Sequence, residues 1–143
     1  MSESKAIVNY PWNTIDDLVK EIANRANSFK PTHIVGITRG GLIPAVMLSH
    51  SFDLPMETLG VSFRDNRATH HTKFKPIDDA RYLIVDDIND SGTTFKVVSD
   101  IFRNRRLIFA TSALINKEKS GFNVDFYGEM FYHDDWINFP WEK

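Results

Sequence analysis

One stretch, residues 83–94, constrains the fold and the chemistry of this chain more than any other. It begins with the apolar residues Leu83-Ile84-Val85 and continues with the adjacent pair Asp86-Asp87. It ends in Asp90-Ser91-Gly92-Thr93-Thr94, directly before an amphipathic run from Phe95 to Phe102. That order predicts a strand, an acidic turn, a loop of the size of a phosphate group and then a helix. The rest of the chain is interpreted by what it adds to this site.

The composition is that of one folded domain. The chain has 143 residues, of which 42% are hydrophobic and 25% are charged, so it can bury a core and is too apolar to be disordered over most of its length. The formal net charge of -2 provides no overall attraction to nucleic acid or to an anionic membrane. Any phosphate binding must therefore come from local geometry, and we expect no nucleic-acid partner.

The residues that are absent also exclude several classes of site. Because there is no cysteine, a disulfide scaffold, a thiolate zinc site and a cysteine nucleophile are excluded. No apolar run approaches the length of a membrane span, and the first five residues lack the apolar region of a signal peptide. We therefore expect a soluble, cytoplasmic protein without an integral membrane segment.

Helices and strands alternate along the chain. The apolar patch at residues 6–8 is either an edge strand or an arm. Apolar residues recur at spacings of three and four from Ile15 to Phe29, which predicts a helix capped by Asn13 or Thr14, with two aspartates in its first turn, that ends at Lys30-Pro31. Further strands are predicted at 33–38, 56–63, 82–85, 107–115 and 122–127, and further helices at 42–52 and 93–103.

This alternation indicates an α/β fold, in which a mainly parallel, twisted sheet is flanked by helices and residues 1–143 form a single domain. In such sheets, ligands bind beyond the carboxyl ends of the strands. Three segments with unusual chemistry follow predicted strands: Arg39-Gly40-Gly41, residues 86–94, and the loop that begins at Lys117. We expect these segments to converge on one site.

The adjacent carboxylates Asp86 and Asp87 repel each other, so they need hydrogen-bond donors or a cation nearby. A diol such as that of ribose, or Mg²⁺ with its preference for oxygen ligands, would satisfy them. On their own, the two residues also fit a solvated acidic turn. The loop at residues 90–94 favours a ligand, because its glycine, its hydroxyl groups and the start of the next helix together suit an anion. An ordinary helix cap at Asp90 or Ser91 is the alternative.

Taken together, residues 83–94 resemble the signature of the type I phosphoribosyltransferases, which bind phosphoribosyl pyrophosphate (PRPP). The sequence Thr38-Arg39-Gly40-Gly41-Leu42-Ile43-Pro44 resembles the pyrophosphate loop of their xanthine–guanine and hypoxanthine branch. Lys117 and residues 134–141 resemble the purine-binding parts of that branch. The resemblance spans nearly the whole chain, and it implies the type I fold with a small C-terminal base-binding hood at about residues 117–143.

The resemblance also implies roles for individual residues. Asp86 and Asp87 would hold the ribose hydroxyls and Mg²⁺, and Asp90 would handle a proton near purine N7, so these three aspartates are the expected catalytic residues. The PRPP and its phosphates would be bound by Arg39, Gly40, Gly41, Asp86, Asp87, Asp90, Ser91, Gly92, Thr93 and Thr94. The base would be bound by Asp90, Lys117, Trp136 and Ile137: Lys117 would donate to O6, Trp136 would stack on the ring, and the backbone near Ile137 would face position 2. A cis peptide would fall at Thr38–Arg39.

The polar stretch at residues 64–75 is predicted by its composition to be a mobile loop. It matches the flexible loop that closes over PRPP in this family, and closure would exclude water from a reactive cation. The pair His70-His71 within it is expected to face solvent rather than a metal. The sequence does not indicate which residues of this loop contact substrate.

The predicted function is the transfer of the phosphoribosyl group of PRPP to N9 of guanine, xanthine or hypoxanthine with Mg²⁺, giving the nucleoside monophosphate and pyrophosphate in purine salvage. One alternative is a phosphoribosyltransferase for adenine or a pyrimidine. Another is a regulator that binds PRPP or a nucleotide without catalysis. By resemblance alone, we expect a homo-oligomer, either a dimer or a tetramer.

Overall fold

The computed structural model describes residues 6–64, 67–71 and 75–142. In chain order its elements are β1 Ile7–Asn9, α1 Trp12–Ala26, β2 His33–Thr38, α2 Leu42–Phe52, β3 Met56–Arg64, β4 Arg67–His71, β5 Arg81–Asn89, α3 Thr93–Asn104, β6 Ile108–Lys117, β7 Phe126–Phe131 and β8 Trp136–Asn138. A short 3-10 turn, Asn27–Phe29, follows α1. No helix in the described ranges is long and apolar enough to cross a bilayer.

The main sheet has six strands in the order β4-β3-β2-β5-β6-β7. All neighbouring strands are parallel except β3 and β4, which are antiparallel. A second, two-stranded sheet pairs β1 in parallel with β8, and Val8 lies opposite Ile137. The predicted α/β fold with a mainly parallel sheet is therefore confirmed, and the apolar patch at residues 6–8 contributes to a strand.

Apolar side chains cover both faces of the sheet, as a doubly covered parallel sheet requires. Along the central strand β5, Leu83 and Val85 belong to the core on the side of α1 and α2. The alternate residues Tyr82 and Ile84 belong to the core on the side of α3. Because successive side chains of a strand point to opposite faces, β5 packs in both halves of the core. This packing holds the start of the segment at residues 90–94 in place.

The start of α1 differs from the prediction. The helix begins at Trp12, Pro11 occupies the cap position, and no side chain caps the helix. Proline is well suited to this end because it has no amide hydrogen to leave unpaired. Neither Asn13 nor Thr14 is the cap, and the first turn holds no acidic residue.

Two central strands are longer than predicted. β5 continues through Asp86 and Asp87 to Asn89, so the acidic pair lies on the strand rather than in a turn. The adjacent strand β6 likewise extends to Lys117. The two strands remain paired as far as Asn89 opposite Asn116. Main-chain pairing therefore overrides the low strand propensity of aspartate and asparagine here.

Two peripheral strands also correct the prediction. β7 begins at Phe126, four residues after the predicted start at Phe122, because Phe122 packs instead against Phe95 with ring centroids 5.6 Å apart. Part of the predicted loop at 64–75 is the strand β4, which pairs with β3 along the sheet edge. Polar and charged side chains are typical of edge strands, so composition alone suggested a loop. Residues 65–66 and 72–74 lie outside the described residues, and loop closure stays a prediction.

Candidate active site

Asp86 and Asp87 lie where β5 extends beyond β2, whose pairing with β5 ends at Gly36 opposite Val85. The backbone amide of Asp87 donates to Oδ1 of Asp86 at 2.8 Å, and that of Ile88 donates to Oδ1 of Asp87 at 2.7 Å. Burial, with added repulsion from Asp87, raises the pKa of Asp86 well above its ordinary value. Burial also raises the pKa of Asp87. The pair therefore forms a site of concentrated, poorly compensated negative charge.

The loop Arg39-Gly40-Gly41 packs directly against this pair. A Cβ atom added to Gly40 would lie 2.6 Å from Cγ of Asp87, so only glycine allows so close an approach. The amide of Gly41 donates to the carbonyl oxygen of Ile37 at 2.8 Å, which holds the loop against the end of β2. The peptide between Thr38 and Arg39 is cis, as the resemblance implied.

The loop at residues 90–94, called the phosphate loop below, joins β5 to α3. A cavity of about 210 Å³ is lined by this loop and by the residues that precede it, from Asp86 to Asn89. Gly92 has φ +88 and caps α3, a conformation that residues with a side chain rarely adopt. The hydroxyl groups of Ser91 and Thr93 lie 3.0 Å apart. The loop therefore surrounds a small polar cavity at the start of a helix, where the dipole favours an anion.

Lys117, at the end of β6, lies beside the first residue of the phosphate loop. Its Nζ is 3.1 Å from Oδ1 of Asp90. The lysine side chain is only 13% exposed, whereas that of Asp90 is 65% exposed. A mostly buried lysine side chain whose ammonium group has one carboxylate partner is suited to donate to a ligand.

The two predicted base-binding residues of β8 differ in their surroundings. Trp136 is 64% exposed, so most of its ring is available to a ligand. Ile137 is 5% exposed and its side chain belongs to the core on the α1 side, so only its backbone can face a base. β8 is held in place by β1, since the amide of Trp136 donates to the carbonyl oxygen of Ala6 at 3.0 Å.

At the end of the chain, the sequence analysis included Trp141 in the stretch 134–141 that resembles the purine-binding parts, and it did not single out Glu142. Trp141 and Glu142 line a cavity of about 730 Å³ together with Arg39, Gly40 and Asp87. Trp141 stacks on Phe139 with ring centroids 4.8 Å apart, which explains its position. Burial and the nearby charge of Asp87 raise the pKa of Glu142. No local sequence signal marked Glu142, because its placement depends on how the C-terminal segment folds back over the sheet.

The donor set of the acidic pair fits Mg²⁺. Its carboxylate oxygens are the ligands that this ion prefers, and burial raises the pKa of both carboxyl groups, so a cation would compensate charge that is poorly solvated. Within the described residues, no group of three or more acidic or histidine side chains is arranged to hold a metal. Mg²⁺ is commonly held by one or two carboxylates, with water and substrate phosphates as the other ligands, so two carboxylates suffice.

With this geometry in place, the comparisons with known proteins identify the class. The phosphoribosyl transferase domain family matches residues 11–142. The chain belongs to this family and is a transferase of the pentosyl group. The family resemblance predicted from residues 83–94 is therefore confirmed.

Several similar proteins in the family are named as purine phosphoribosyltransferases. The xanthine-guanine phosphoribosyltransferase of Gluconobacter oxydans is 31% identical, over 99% of this chain and 89% of that protein. The enzyme of the same name from Cereibacter sphaeroides is 34% identical, over 92% and 84% of the two chains. Among solved structures, a purine phosphoribosyltransferase from Pyrococcus horikoshii is 31% identical with a TM-score of 0.88, covering 96% of this chain and 95% of that one.

Proposed function

We propose that this enzyme transfers the phosphoribosyl group of PRPP to N9 of a 6-oxopurine, releasing pyrophosphate and giving the nucleoside monophosphate. In this proposal it acts in purine salvage in the cytoplasm. The observation that carries the proposal is the Lys117–Asp90 pair, whose Nζ and Oδ1 atoms lie 3.1 Å apart beside the phosphate loop. The names of the relatives, which include guanine and xanthine, agree with this choice of base.

The chemistry of the base explains why this pair matters. A 6-oxopurine presents O6 and N7 next to each other on one edge, whereas adenine presents an amino group in place of O6. Lys117 can only donate hydrogen bonds, so it suits O6 and leaves the amino group of adenine without an acceptor. Asp90, next to it, would face N7. Stacking on the exposed ring of Trp136 would complete the base site.

The remaining residues are proposed to hold PRPP. The phosphate loop would bind the 5′-phosphate, and Arg39 with the amides of Gly40 and Gly41 would bind the pyrophosphate. Asp86 and Asp87 would hold the ribose hydroxyls and Mg²⁺. When bound, Mg²⁺ supplies positive charge that favours departure of the pyrophosphate. Glu142 faces the same cavity as Asp87 and is a further candidate for contact with the hydrated cation.

In the proposed reaction, the lone pair of N9 forms a bond to C1′ of the ribose as the bond from C1′ to the pyrophosphate oxygen breaks. The base begins with a proton on N7, and this proton passes to the carboxylate of Asp90. The sugar carries positive charge in the transition state, so carboxylates beside it are stabilising. Holding the base and the sugar in reactive contact also contributes to the rate enhancement.

The direct test is an assay of the purified protein with Mg-PRPP and guanine, xanthine, hypoxanthine, adenine or a pyrimidine. We expect consumption of at least one 6-oxopurine and none of the other bases. Preferential use of adenine or a pyrimidine would contradict the assignment of the base. Tight binding of PRPP in calorimetry, without turnover of any base, would contradict catalysis itself.

Replacing Lys117 by Ala tests the base assignment at one residue. We expect kcat/KM for the 6-oxopurine to fall by about a hundredfold or more, because the site loses its donor to O6. The KM for PRPP should change little. The matched control is Lys119→Ala, since Lys119 is 68% exposed and pairs with Asp134 at the surface. An unchanged preference among bases in Lys117→Ala would remove this residue from the base site.

A further inference from the structure

A buried cluster of polar side chains is formed by residues next in the chain to the Lys117–Asp90 pair. Asn89 and Asn116 are each 1% exposed and lie opposite each other on β5 and β6. Nδ2 of Asn89 is 2.8 Å from Oδ1 of Asn116, 2.9 Å from Oγ of Ser120 and 2.7 Å from the carbonyl oxygen of Phe122. Because acceptors surround this nitrogen, its neighbours fix the orientation of the amide. We call Asn89, Asn116 and Ser120 the amide cluster.

The position of the amide cluster in the chain connects it to the site. Asn89 directly precedes Asp90, where the phosphate loop begins, and Asn116 directly precedes Lys117. The hydrogen bond between the two asparagines therefore lies one residue behind each member of the ion pair. It adds a side-chain bond to the main-chain pairing that joins the two strand ends from which these two side chains emerge.

The segment between β6 and β7 extends this connection beneath the phosphate loop. The amide of Gly121 donates to the carbonyl oxygen of Ser91 at 3.0 Å. Phe122 accepts from Asn89 through its carbonyl oxygen, and its ring stacks on Phe95 in the first turn of α3. Asn89 thus bonds at once to β6 and to the segment that supports the phosphate loop.

We propose that Asn89 is a positioning residue that holds the phosphate loop and Lys117 at a fixed separation, so that the enzyme binds the two ends of one nucleotide together. This inference rests on the proposed function, which assigns the 5′-phosphate to the loop and the base to Lys117. Asn89 borders the phosphate-loop cavity but is only 1% exposed, so in this proposal its amide acts without contacting the nucleotide. Its effect is on the distance between the two sites that do make contact.

The physical basis is preorganisation. A ligand that occupies two sites gains the second contact at little cost only if the sites are already at the correct distance. If the buried amide is lost, the two segments must be ordered when the nucleotide binds, and that cost falls only on ligands that span both sites. A nucleoside lacks the phosphate and ribose 5-phosphate lacks the base, so neither ligand spans both sites and the ordering cost does not weaken its binding.

The test compares three ligands on the full-length protein by calorimetry: a purine nucleoside monophosphate, its nucleoside, and ribose 5-phosphate. In Asn89→Leu, which keeps the shape of the side chain and removes the amide, we expect the affinity for the monophosphate to fall by about tenfold or more. The affinities for the nucleoside and for ribose 5-phosphate should each change by less than about twofold. Equal losses for all three ligands, or an unchanged monophosphate affinity, would overturn the proposal.

Two further variants separate positioning from stability. Thr111 is 1% exposed and bonds to Asp125, so it connects β6 to the residue before β7 at the other end of the strand. Thr111→Val should lower the melting temperature and leave the ratio of monophosphate to nucleoside affinity unchanged. Asn89→Leu leaves Oδ1 of Asn116 without its donor. The double variant Asn89→Leu/Asn116→Leu removes this unpaired acceptor and should regain stability. In the double variant, the ratio of monophosphate to nucleoside affinity should stay low. If this ratio recovered together with stability, Asn89 would have only a structural role.

The nucleotide pair is chosen by titrating the wild-type protein with the monophosphates and nucleosides of guanine, hypoxanthine, xanthine and adenine. If the adenine pair binds most tightly, the assignment of a 6-oxopurine fails. The comparison is then run with that pair, and the ratio still supports or overturns the role of Asn89. The failures of the two proposals are therefore distinguishable.

Discussion

The carboxylate of Asp86, which is proposed to bind ligand, is buried beside a second carboxylate at a cost to the stability of the protein. Burial and the neighbouring Asp87 raise its pKa well above the ordinary value of 3.8. Since the folded-state pKa lies above that of the unfolded chain, the folded protein binds more protons in the interval between the two values. The contribution to stability is present below pH 3.8 and is lost as the pH rises through the folded-state pKa. At neutral pH this group therefore destabilises the protein when no cation is bound.

Asp86→Asn tests this conflict between binding and stability. At pH 7 the variant should unfold at a higher temperature than the wild type without ligand, with a gain of about 1–2 kcal/mol, and the gain should diminish in acid. Mg-PRPP should stabilise the wild type and have little effect on the variant, because a ligand stabilises only the state that binds it. Thermal unfolding measured across pH, with and without Mg-PRPP, provides both readouts.

The control for this experiment is Asp100→Asn, which removes an exposed carboxylate that is paired with Arg103 on α3. Its melting temperature should change little at any pH, since exposed ion pairs contribute little. If Asp86→Asn were destabilised at pH 7 and still stabilised by Mg-PRPP, the inferred charge state of the pair would be wrong.

Individual site residues differ in how far the sequence could predict them. Asp86, Asp90 and Lys117 are polar residues at the ends of apolar strands, so a local pattern and the family resemblance both indicated them. Asn89 is the last residue of β5, and the sequence analysis did not single it out, because burial of its amide depends on a partner strand far along the chain. Glu142 could not be predicted from local pattern, since it reaches its cavity only after the C-terminal segment has folded over the sheet.

At the scale of elements, boundaries were predicted well where a local signal ends an element. β2 and α2 have the predicted bounds, because glycines and Asp53 interrupt the pattern on either side. β5 continues past its apolar run because β6 remains paired with it. β7 begins late because Phe122 packs in the α3-side core rather than in the sheet. Tertiary packing decided both differences, and no local signal encodes it.

Gly92 joins a strand to a helix and provides a test at this scale. Its φ is +88, and an added Cβ atom would lie 2.8 Å from the backbone nitrogen of Phe122. We expect Gly92→Ala to lower the free energy of unfolding by about 1–3 kcal/mol, from backbone strain and this close contact. Binding of PRPP should weaken as well, because the phosphate loop must shift. Chemical denaturation and calorimetry measure the two effects.

The neighbouring residue Gly121 is the matched control. An added Cβ atom there would first meet Nζ of Lys96 at 3.0 Å, which is the end of a flexible side chain. Gly121→Ala should therefore be tolerated, with a much smaller loss of stability than Gly92→Ala. Similar losses in both variants would mean that the two positions are constrained alike, contrary to the geometry described above.

At the scale of the whole molecule, the predicted convergence of three segments is what the fold produces. The central strands β2, β5 and β6 are adjacent and parallel, so the residues that follow them meet at one edge of the sheet. The sequence did not indicate how the segments near the two chain termini are attached to each other and to the main sheet. β1 pairs with β8, and Tyr10, which follows β1, donates a hydrogen bond to Glu129 on β7.

Removal of the Tyr10 hydroxyl group tests this attachment. Tyr10 is 8% exposed, and both burial and Glu129 raise its pKa, so the hydroxyl remains a donor. Tyr10→Phe should lower the free energy of unfolding by about 1–3 kcal/mol, because Glu129 loses its partner. The KM for the base should rise more than the KM for PRPP, since β1 supports β8. Equal changes in both KM values would show that this bond stabilises the fold without orienting the base site.

The pairing of β1 with β8 also has a consequence during protein synthesis. The residues joined there are 129 positions apart, as in the hydrogen bond from Ala6 to Asp135, so almost the entire chain must leave the ribosome before they can meet. The central strands, and the loops proposed to bind phosphate, are translated earlier and can begin to fold as they emerge. A chain interrupted before residue 136 would keep those loops and lack the strand that carries Trp136. If Trp136 binds the base as proposed, recognition of the base is acquired last, and only by chains that have been translated through this strand.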